Sequence, residues 1–297
     1  MKNVGLILEG GGQRGVFTGG VLDYLMEQSF EVPYVIGVSA GTCNAVDFVS
    51  KQPCRTKKCM IDAQKEHELY SAKNIWRKGY YIDMDLIFTD FPEKIYPFDF
   101  ETFKRSKTRC LMTATDCISG EAVYIEEKED KERMMAAVRA SSSLPFAASE
   151  VMIDGRPMMD GGLRDSVPIQ KATNDGYKYN IIILTRPKGY RKSEKHDASV
   201  RLAKAAYKKY PNLVRDMEHR AHRYNKTMDI IDELEAKGRV YVIRPEIACV
   251  KRTEKDIEKL EVFYKHGYDM MKEKYDDLTQ WLTRADDIQL EDEDDNR

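Results

Sequence analysis

Three consecutive glycines, Gly10, Gly11 and Gly12, follow a short apolar segment near the start of the chain. The segment Val4–Leu8 has the length and composition of a buried strand, and the residues after the glycines carry apolar side chains at helical spacing. A second apolar strand, Tyr34–Val38, comes next and is followed by another helical stretch. Strands that alternate with helices in this way predict a parallel α/β sheet.

The rest of the chain continues this pattern. Further strands are predicted at 109–115, 122–125, 151–153, 157–159, 180–185 and 239–244. Helices are predicted at 42–50, 131–141, 198–209, 215–237 and 254–274. We therefore expect an α/β fold with a central, mostly parallel sheet.

The glycine loop itself has a chemical use. Without side chains, its backbone N–H groups can approach a phosphate or a reaction oxyanion beside the positive end of the next helix, and Arg14 adds a charge. The spacing Gly10-x-Gly12-x-x-Gly15 also matches the dinucleotide fingerprint, but the second strand ends without the acidic residue that holds the ribose. A non-catalytic module that binds an anion or a phosphate stays open as an alternative. A tight turn that only allows close packing explains three glycines less well.

A serine lies where the second strand meets its helix. The pentapeptide Gly37-Val38-Ser39-Ala40-Gly41 matches G-x-S-x-G, in which the serine occupies a sharp strand-to-helix turn and the glycines make room for it. Neighbouring parallel strands bring their following loops to the same edge of the sheet. We therefore predict that Ser39 is a nucleophile close to the glycine loop.

A nucleophilic serine needs a base. None of the histidines lies in a loop at the end of a predicted strand, so the histidine of α/β hydrolases has no counterpart. Asp160 leaves the 157–159 strand directly into Gly161 and Gly162, which favours a carboxylate that faces a site. Asp154-Gly155, six residues earlier, has the composition of an ordinary turn. A free aspartate, with a pKa of about 3.9, is a weak base, so the site would have to desolvate Asp160.

The glycine loop, the serine elbow and the Asp160-Gly161-Gly162 turn, in this order, resemble the patatin-like phospholipase family of Ser-Asp lipid acyl hydrolases. The segment 140–146, Ala-Ser-Ser-Ser-Leu-Pro-Phe, is similar to the loop that precedes the aspartate in that family. The resemblance covers about residues 4–172. Many family members have Asp-Gly-Ala at 160–162, a variation that leaves the role of the carboxylate intact.

The resemblance implies a site and a domain organisation. Ser39 would attack an ester carbonyl, and Asp160 would take its proton. The oxyanion hole would consist of Gly11, Gly12, Gln13 and Arg14, with the backbone N–H groups of Gly11 and Gly12 as donors to the oxyanion. It implies a three-layer α/β/α catalytic part at 1–175 and an α-rich part at 176–297 that completes the sheet. No metal or organic cofactor is implied. An acyltransferase built on the same Ser-Asp pair is an alternative to the hydrolase.

Aromatic residues are concentrated between 76 and 103. The nine are Trp76, Tyr80, Tyr81, Phe88, Phe91, Tyr96, Phe98, Phe100 and Phe103. They could line an acyl groove or cap the site against water, or they could pack over the edge of the sheet. Both interpretations stay open at this point.

Charge is balanced overall but not locally. The chain has 48 Lys and Arg against 50 Asp and Glu, so net charge does not draw it to nucleic acid. The segment 186–226 has thirteen basic residues and four acidic ones, whereas 286–297 has seven acidic residues and one basic residue. The basic segment could contact an anionic membrane surface peripherally or form a solvated helix face. We expect the acidic run at 291–295 to be a disordered tail.

Other features point to an ordinary water-soluble protein. Mean hydropathy is −0.59 and no apolar run is long enough to span a bilayer. The first nine residues lack a signal-peptide core, so we expect a cytoplasmic protein with free cysteines. His219 and His222 form the one close histidine pair, and a solvated helix face is favoured there over a metal site.

Overall fold

The computed structural model describes residues 3–194 and 198–294, and within these residues eight strands form one mixed sheet. The strands are β1 (Val4–Leu8), β2 (Tyr34–Val38), β3 (Arg109–Asp116), β4 (Ala122–Glu126), β5 (Val151–Ile153), β6 (Arg156–Asp160), β7 (Tyr179–Ile183) and β8 (Val240–Ile243). Hydrogen-bonded neighbours run in the order β5-β6-β3-β2-β1-β7-β8, and β4 also pairs with β3. The pairs among β3, β2, β1, β7 and β8 are parallel, and those that involve β4, β5 and β6 are antiparallel.

Helices cover both faces of the sheet. They are α1 (Gly15–Glu27), α2 (Ala40–Val49), α3 (Arg55–Met60), α4 (Ala72–Lys78), α5 (Phe100–Arg105), α6 (Lys131–Ser141), α7 (Ile169–Asn174), α8 (Ala198–Ala206), α9 (Pro211–Ala236) and α10 (Ile257–Asp294). A π-helix occupies Leu86–Ile95, and short 3-10 turns lie at Gly12–Arg14, Asp62–Lys65 and Gly161–Leu163. Among the described residues, no helix combines the length and the apolar character needed to cross a membrane.

The central strand shows why the fold has three layers. Successive side chains of a strand point to opposite faces. Leu6 and Leu8 of β1 pack in the core that contains α1, α2 and α10, whereas Ile7 packs in the core that contains α7 and α9. Because β1 is buried throughout, its sequence is continuously apolar rather than alternating. The expected α/β/α architecture with a mostly parallel sheet is confirmed.

The last helix packs closely on the first. A methyl group at Gly20 of α1 would lie 2.1 Å from the Tyr264 carbonyl oxygen, and one at Gly267 would lie 2.2 Å from the Phe17 carbonyl oxygen. Glycine on both helices therefore lets their backbones approach to a distance that any side chain would prevent. The C-terminal part also supplies β7 and β8, which extend the sheet beyond β1.

The expectation of a disordered acidic tail at 291–295 is wrong for 291–294. α10 continues to Asp294, well past the predicted end at 274, and 295–297 lie outside the described residues. The buried face of α10 continues for three more turns, in which Leu278, Leu282 and Ala285 pack in the core. The acidic residues that follow include glutamates, which are good helix formers and prolong a helix already anchored by packing.

Candidate active site

Ser39 occupies a strained turn between β2 and α2. Its backbone has φ 56° and ψ −125°, values that a side-chain-bearing residue adopts only when its surroundings impose them. A methyl group at Gly41 would lie 2.3 Å from the Leu8 carbonyl oxygen, and one at Gly37 would lie 2.4 Å from the Gly41 carbonyl oxygen. The two glycines of the pentapeptide thus allow β1, β2 and α2 to converge where Ser39 projects.

Ser141, at the end of α6, holds this turn from the other side. The Ser39 N–H donates to Ser141 Oγ at 2.8 Å, and the Ser141 hydroxyl donates to the Thr113 carbonyl oxygen at 2.6 Å. Thr42 Oγ1 lies 2.8 Å from the same Ser141 oxygen. Sequence reasoning assigned no role to Ser141, although it lies in the 140–146 segment that carries part of the family resemblance.

Sheet register brings Asp160 beside Ser39. Residues 111–113 of β3 pair with β2 and with β4, and residues 114 and 115 pair with β4 and with β6. Since a strand has only two edges, β6 continues along the edge that β2 occupies. Val38 pairs with Thr113, and Asp160 pairs with the next residue, Ala114. The ends of β2 and β6 therefore meet, and Ser39 and Asp160 line the same small cavity.

The Asp160 carboxylate is buried, with 2% of the residue exposed. Its Oδ1 accepts a hydrogen bond from the Gly162 N–H at 2.7 Å, while Oδ2 makes none of standard geometry with any described residue. Burial raises the pKa of Asp160, opposed by the charge of Arg220, by the nearby Ser39 hydroxyl and by the Gly162 N–H. A carboxylate with a raised pKa and a free oxygen is a better proton acceptor than an exposed aspartate.

The glycine loop passes directly over the serine. A methyl group at Gly10 would lie 2.9 Å from Ser39 Cβ, so the absence of a side chain there keeps the loop against the elbow. Gly12 has φ +56°, and a methyl group on it would lie 2.5 Å from the Arg252 carbonyl oxygen. Within the described part of the chain, the N–H groups of Gly11 and Gly12 donate to no protein acceptor. Two free backbone donors therefore remain at this loop.

Gln13 and Arg14 are placed differently from the two glycines. The Gln13 N–H donates to the Arg252 carbonyl oxygen at 2.9 Å, and its side-chain amide donates to the Tyr70 hydroxyl at 2.8 Å. The Arg14 N–H points back to the Gly11 carbonyl oxygen at 3.4 Å. Gln13 thus anchors the loop and has no free backbone N–H for an oxyanion, and Arg14 can contribute only through its side chain.

The cavity that contains Ser39 and Asp160 has a volume of about 50 Å³ and is strongly basic. Five cationic residues line it: Arg14, Arg186, Lys192, Arg220 and Arg252. The acidic residues in its lining are Glu9 and Asp160. Apart from Arg14, sequence reasoning placed none of these cations at the site. The excess of basic residues at 186–226 indicates that cations are concentrated there, but by itself it predicts a surface and not a cavity.

Burial and mutual repulsion perturb these cations. Burial, followed by repulsion from Arg186 and Arg252, lowers the pKa of Arg14 to about 10. Burial and the charge of Arg252 lower the pKa of Arg220 to about 10. Burial, with repulsion from Arg220, also lowers the pKa of Lys192 well below its usual value. The cavity therefore carries an excess of positive charge that the protein itself does not neutralise.

A second, largely apolar cavity of about 390 Å³ adjoins the first at Ser39. The residues that line both cavities are Gly12, Ser39, Leu144, Arg220 and Arg252. Of the aromatic segment 76–103, Phe88 and Phe98 line the apolar cavity. Phe91 and Phe103 are core residues instead, and Trp76 is 92% exposed. One part of the aromatic segment therefore lines the apolar cavity, and another part packs in the core.

Comparisons with known proteins agree with this architecture. The family model for patatin-like phospholipase matches residues 6–173, and a model for a domain of unknown function, DUF6363, matches 210–283. An uncharacterized protein of Escherichia coli, YjjU, is 28% identical over 255 residues, which are 82% of this chain and 68% of that protein. The crystal structure of VipD from Legionella pneumophila has a similar fold, with a TM-score of 0.50 and 13% identity over 93% of this chain and 67% of that one. The chain therefore belongs to the patatin-like phospholipase family of lipid acyl hydrolases.

Proposed function

We propose that the protein hydrolyses carboxylic esters of lipids through a Ser39–Asp160 pair and an acyl-enzyme. The observation that carries this proposal is the buried, unpartnered Oδ2 of Asp160 in the same cavity as a strained, projecting Ser39. A buried carboxylate oxygen without a partner is costly unless a reacting group uses it.

The reaction follows from these positions. Ser39 Oγ attacks the ester carbonyl carbon while its proton passes to Asp160 Oδ2. The carbonyl oxygen becomes an oxyanion, which the N–H groups of Gly11 and Gly12 stabilise, and loss of one such donor costs on the order of 3 kcal/mol. The ester C–O bond then breaks, and the proton on Asp160 passes to the leaving alkoxide. Water, deprotonated by Asp160, then attacks the acyl carbon, the bond between this carbon and Ser39 Oγ breaks, and the proton on Asp160 returns to Ser39 Oγ as the fatty acid leaves.

The apolar cavity is the place for the acyl chain. It begins at Ser39 and has a largely hydrophobic lining, so a chain that extends from the attacked carbonyl would leave water along its length. Burial of each methylene contributes about 0.8 kcal/mol. This arrangement favours a long-chain ester over a small water-soluble one.

We also propose that the protein is cytoplasmic and that it contacts an anionic membrane peripherally. Several basic residues of 186–226 line the cavity or pair with acids, as Arg191 does with Asp229 at 2.7 Å, but Arg201 and Lys208 are exposed. The exposed cations are the ones that support a membrane contact.

A fluorophosphonate probe tests the proposal. We expect one adduct, on Ser39, and hydrolysis of p-nitrophenyl acyl esters that falls by at least about 10⁴-fold in Ser39→Ala and in Asp160→Asn. Asp154→Asn is the matched control, because Asp154 also precedes a glycine but pairs with Arg133 at the surface. Activity that survives in folded Ser39→Ala would refute the mechanism. Acyl transfer to an added alcohol, with little free fatty acid, would favour the acyltransferase on the same pair.

A further inference from the structure

The proposed hydrolysis does not need most of the cations in the Ser39 cavity. Two N–H groups stabilise the oxyanion, and the charges of Arg220 and Arg252 act on Asp160, whose pKa they lower. Arg186 and Lys192 remain without a task in that reaction. Burying several like charges together is unfavourable unless an anion joins them.

Glu9 offsets the charges of Arg14, Lys192 and Arg220 only in part. Glu9 accepts from the Thr185 N–H at 2.6 Å, from the Thr185 hydroxyl at 3.0 Å and from the Tyr224 hydroxyl at 3.0 Å. Within residues 3–194 and 198–294, none of the five cations forms an ion pair, either with Glu9 or with any other acid. The Nε of Arg14, a residue 5% exposed, also has no hydrogen-bond partner there.

Neutral contacts hold the cations in position. The Arg220 Nε donates to the Gly162 carbonyl oxygen at 2.6 Å. The Lys192 ammonium lies 3.6 Å from the centre of the Tyr224 ring, and the Arg186 guanidinium lies 4.5 Å from that of Tyr190. Cation–π contacts fix a cation while leaving its charge available to an anion. The cluster is therefore a preformed anion site.

We propose that this cationic cavity binds a phosphate dianion on the substrate, so that the preferred substrate is an acyl ester of an alcohol that carries a terminal phosphate. This inference rests on the proposed hydrolase function. Guanidinium groups bind phosphate oxygens in a fork geometry, and several cations suit a doubly charged group better than a singly charged one.

The first test compares three substrates with one acyl chain: 1-acylglycerol 3-phosphate, the matching lysophosphatidylcholine and the matching monoacylglycerol. We expect kcat/KM to be at least about tenfold higher for the phosphomonoester than for either of the others, as for a charge-assisted contact. In Lys192→Met we expect this preference to fall about tenfold. Lys178→Met is the matched control, because Lys178 is an exposed lysine outside the cavity and outside the basic segment 186–226.

The second test separates a lipid phosphate from free phosphate. Inorganic phosphate is titrated calorimetrically into Ser39→Ala and into Ser39→Ala with Lys192→Met. Weak binding that the second substitution abolishes, together with the substrate preference, supports the proposal. Phosphate binding without any preference would show a site for the free anion and would overturn it.

Different results would refute the hydrolase function and the preference for a phosphomonoester. Hydrolysis of p-nitrophenyl esters with equal kcat/KM for the three lipids would leave the hydrolase intact and refute the phosphate inference. If no ester is hydrolysed at all, the proposed function fails, and the substrate inference fails with it whatever the calorimetry shows. If Lys192→Met does not fold, Arg186→Gln serves as the second variant, because Arg186 lies in the same cavity and packs on Tyr190.

Discussion

The two halves of the chain build the candidate site by different means. In the half that matches the patatin-like phospholipase model, residues 6–173, backbone geometry places the proposed reacting groups: a positive φ at Ser39, close approaches at glycines, and the register of β2 and β6 on β3. In the C-terminal half, residues far apart in sequence contribute charged side chains to a cavity with no local motif. We infer that short sequence motifs determine the proposed reacting groups, whereas tertiary packing determines which substrate the site selects.

The two cavities beside Ser39 show the same contrast. The basic cavity, of about 50 Å³, takes most of its cations from the C-terminal half. The apolar cavity, of about 390 Å³, takes most of its lining from residues before 173. Substitutions in each half should therefore change different measurable quantities.

Gly41→Ala should have the largest effect, on folding itself. The added methyl group would lie 2.3 Å from the Leu8 carbonyl oxygen, which belongs to the central strand and cannot move away cheaply. We expect the free energy of unfolding, measured by urea denaturation, to fall by more than about 3 kcal/mol. Gly155→Ala is the control: with φ +74° and no neighbour within 4 Å, it should lose about 1 kcal/mol. Equal losses at the two positions would contradict this reasoning.

Ser141→Ala should reduce turnover by about 10²-fold, because a small misplacement of a reacting group is costly, and should lower the free energy of unfolding by about 1–3 kcal/mol, because buried polar groups lose their partner. The substitution leaves the Ser39 N–H without its acceptor at 2.8 Å and frees the strained turn to relax. We expect kcat for p-nitrophenyl esters to fall and KM to change little. Ser142→Ala provides the comparison, since Ser142 lies 3.8 Å from the Cys43 sulfur and has no contact with the turn. A Ser141→Ala enzyme with normal kcat would show that the hydrogen bond is dispensable.

Arg220→Gln should move the acidic limb of the pH–rate profile. The base must be ionised, so activity is lost as the pH falls through the pKa of Asp160. Burial raises that pKa and Arg220 lowers it, so removal of the charge should raise it further and start the loss at a higher pH. Arg220→Lys, which keeps the charge, should leave the limb closer to its original position. A limb that stays in place in folded Arg220→Gln would argue against Asp160 as the base.

Met135→Trp should have the smallest effect and should act on chain length alone. Met135 lines the apolar cavity, and the larger indole would occupy part of it. For each methylene that no longer fits, kcat/KM should fall about fourfold, as expected from about 0.8 kcal/mol per methylene. Short-chain esters should be hydrolysed as before. Met152→Trp, at a position 60% exposed and outside the cavity, is the control.

Local patterns predicted most of the fold. All eight strands lie within two residues of their predicted bounds, because short apolar runs between turn signals are typical of buried strands. The error at the C-terminus has a clear cause. A run of acidic residues indicates disorder when read alone, whereas packing of Leu278 and Leu282 on the core anchors α10 well beyond the predicted end.

The site was predictable only in part. Gly10 to Gly12, Ser39 and Asp160 could be singled out because the chemistry requires those residue types beside strand ends. Nothing local indicated that the Gln13 N–H is taken by Arg252, since the two residues are brought together only by the fold. The hydrogen bond from the Ser39 N–H to Ser141 Oγ could not be predicted either, because the two residues are 102 positions apart in sequence.

The sequence by itself determined the α/β alternation, the glycine loop and the identity of the serine and the aspartate. These features depend on the spacing of apolar residues, on turn-forming residues and on glycines beside strained positions, all of which are properties of neighbouring residues. Only the tertiary structure decided that the basic residues of 186–226 divide between a cavity and a surface. Helix composition does not say which face is buried beside a strand end. That choice depends on contacts between residues more than a hundred positions apart, such as Glu9 with Tyr224 at 3.0 Å.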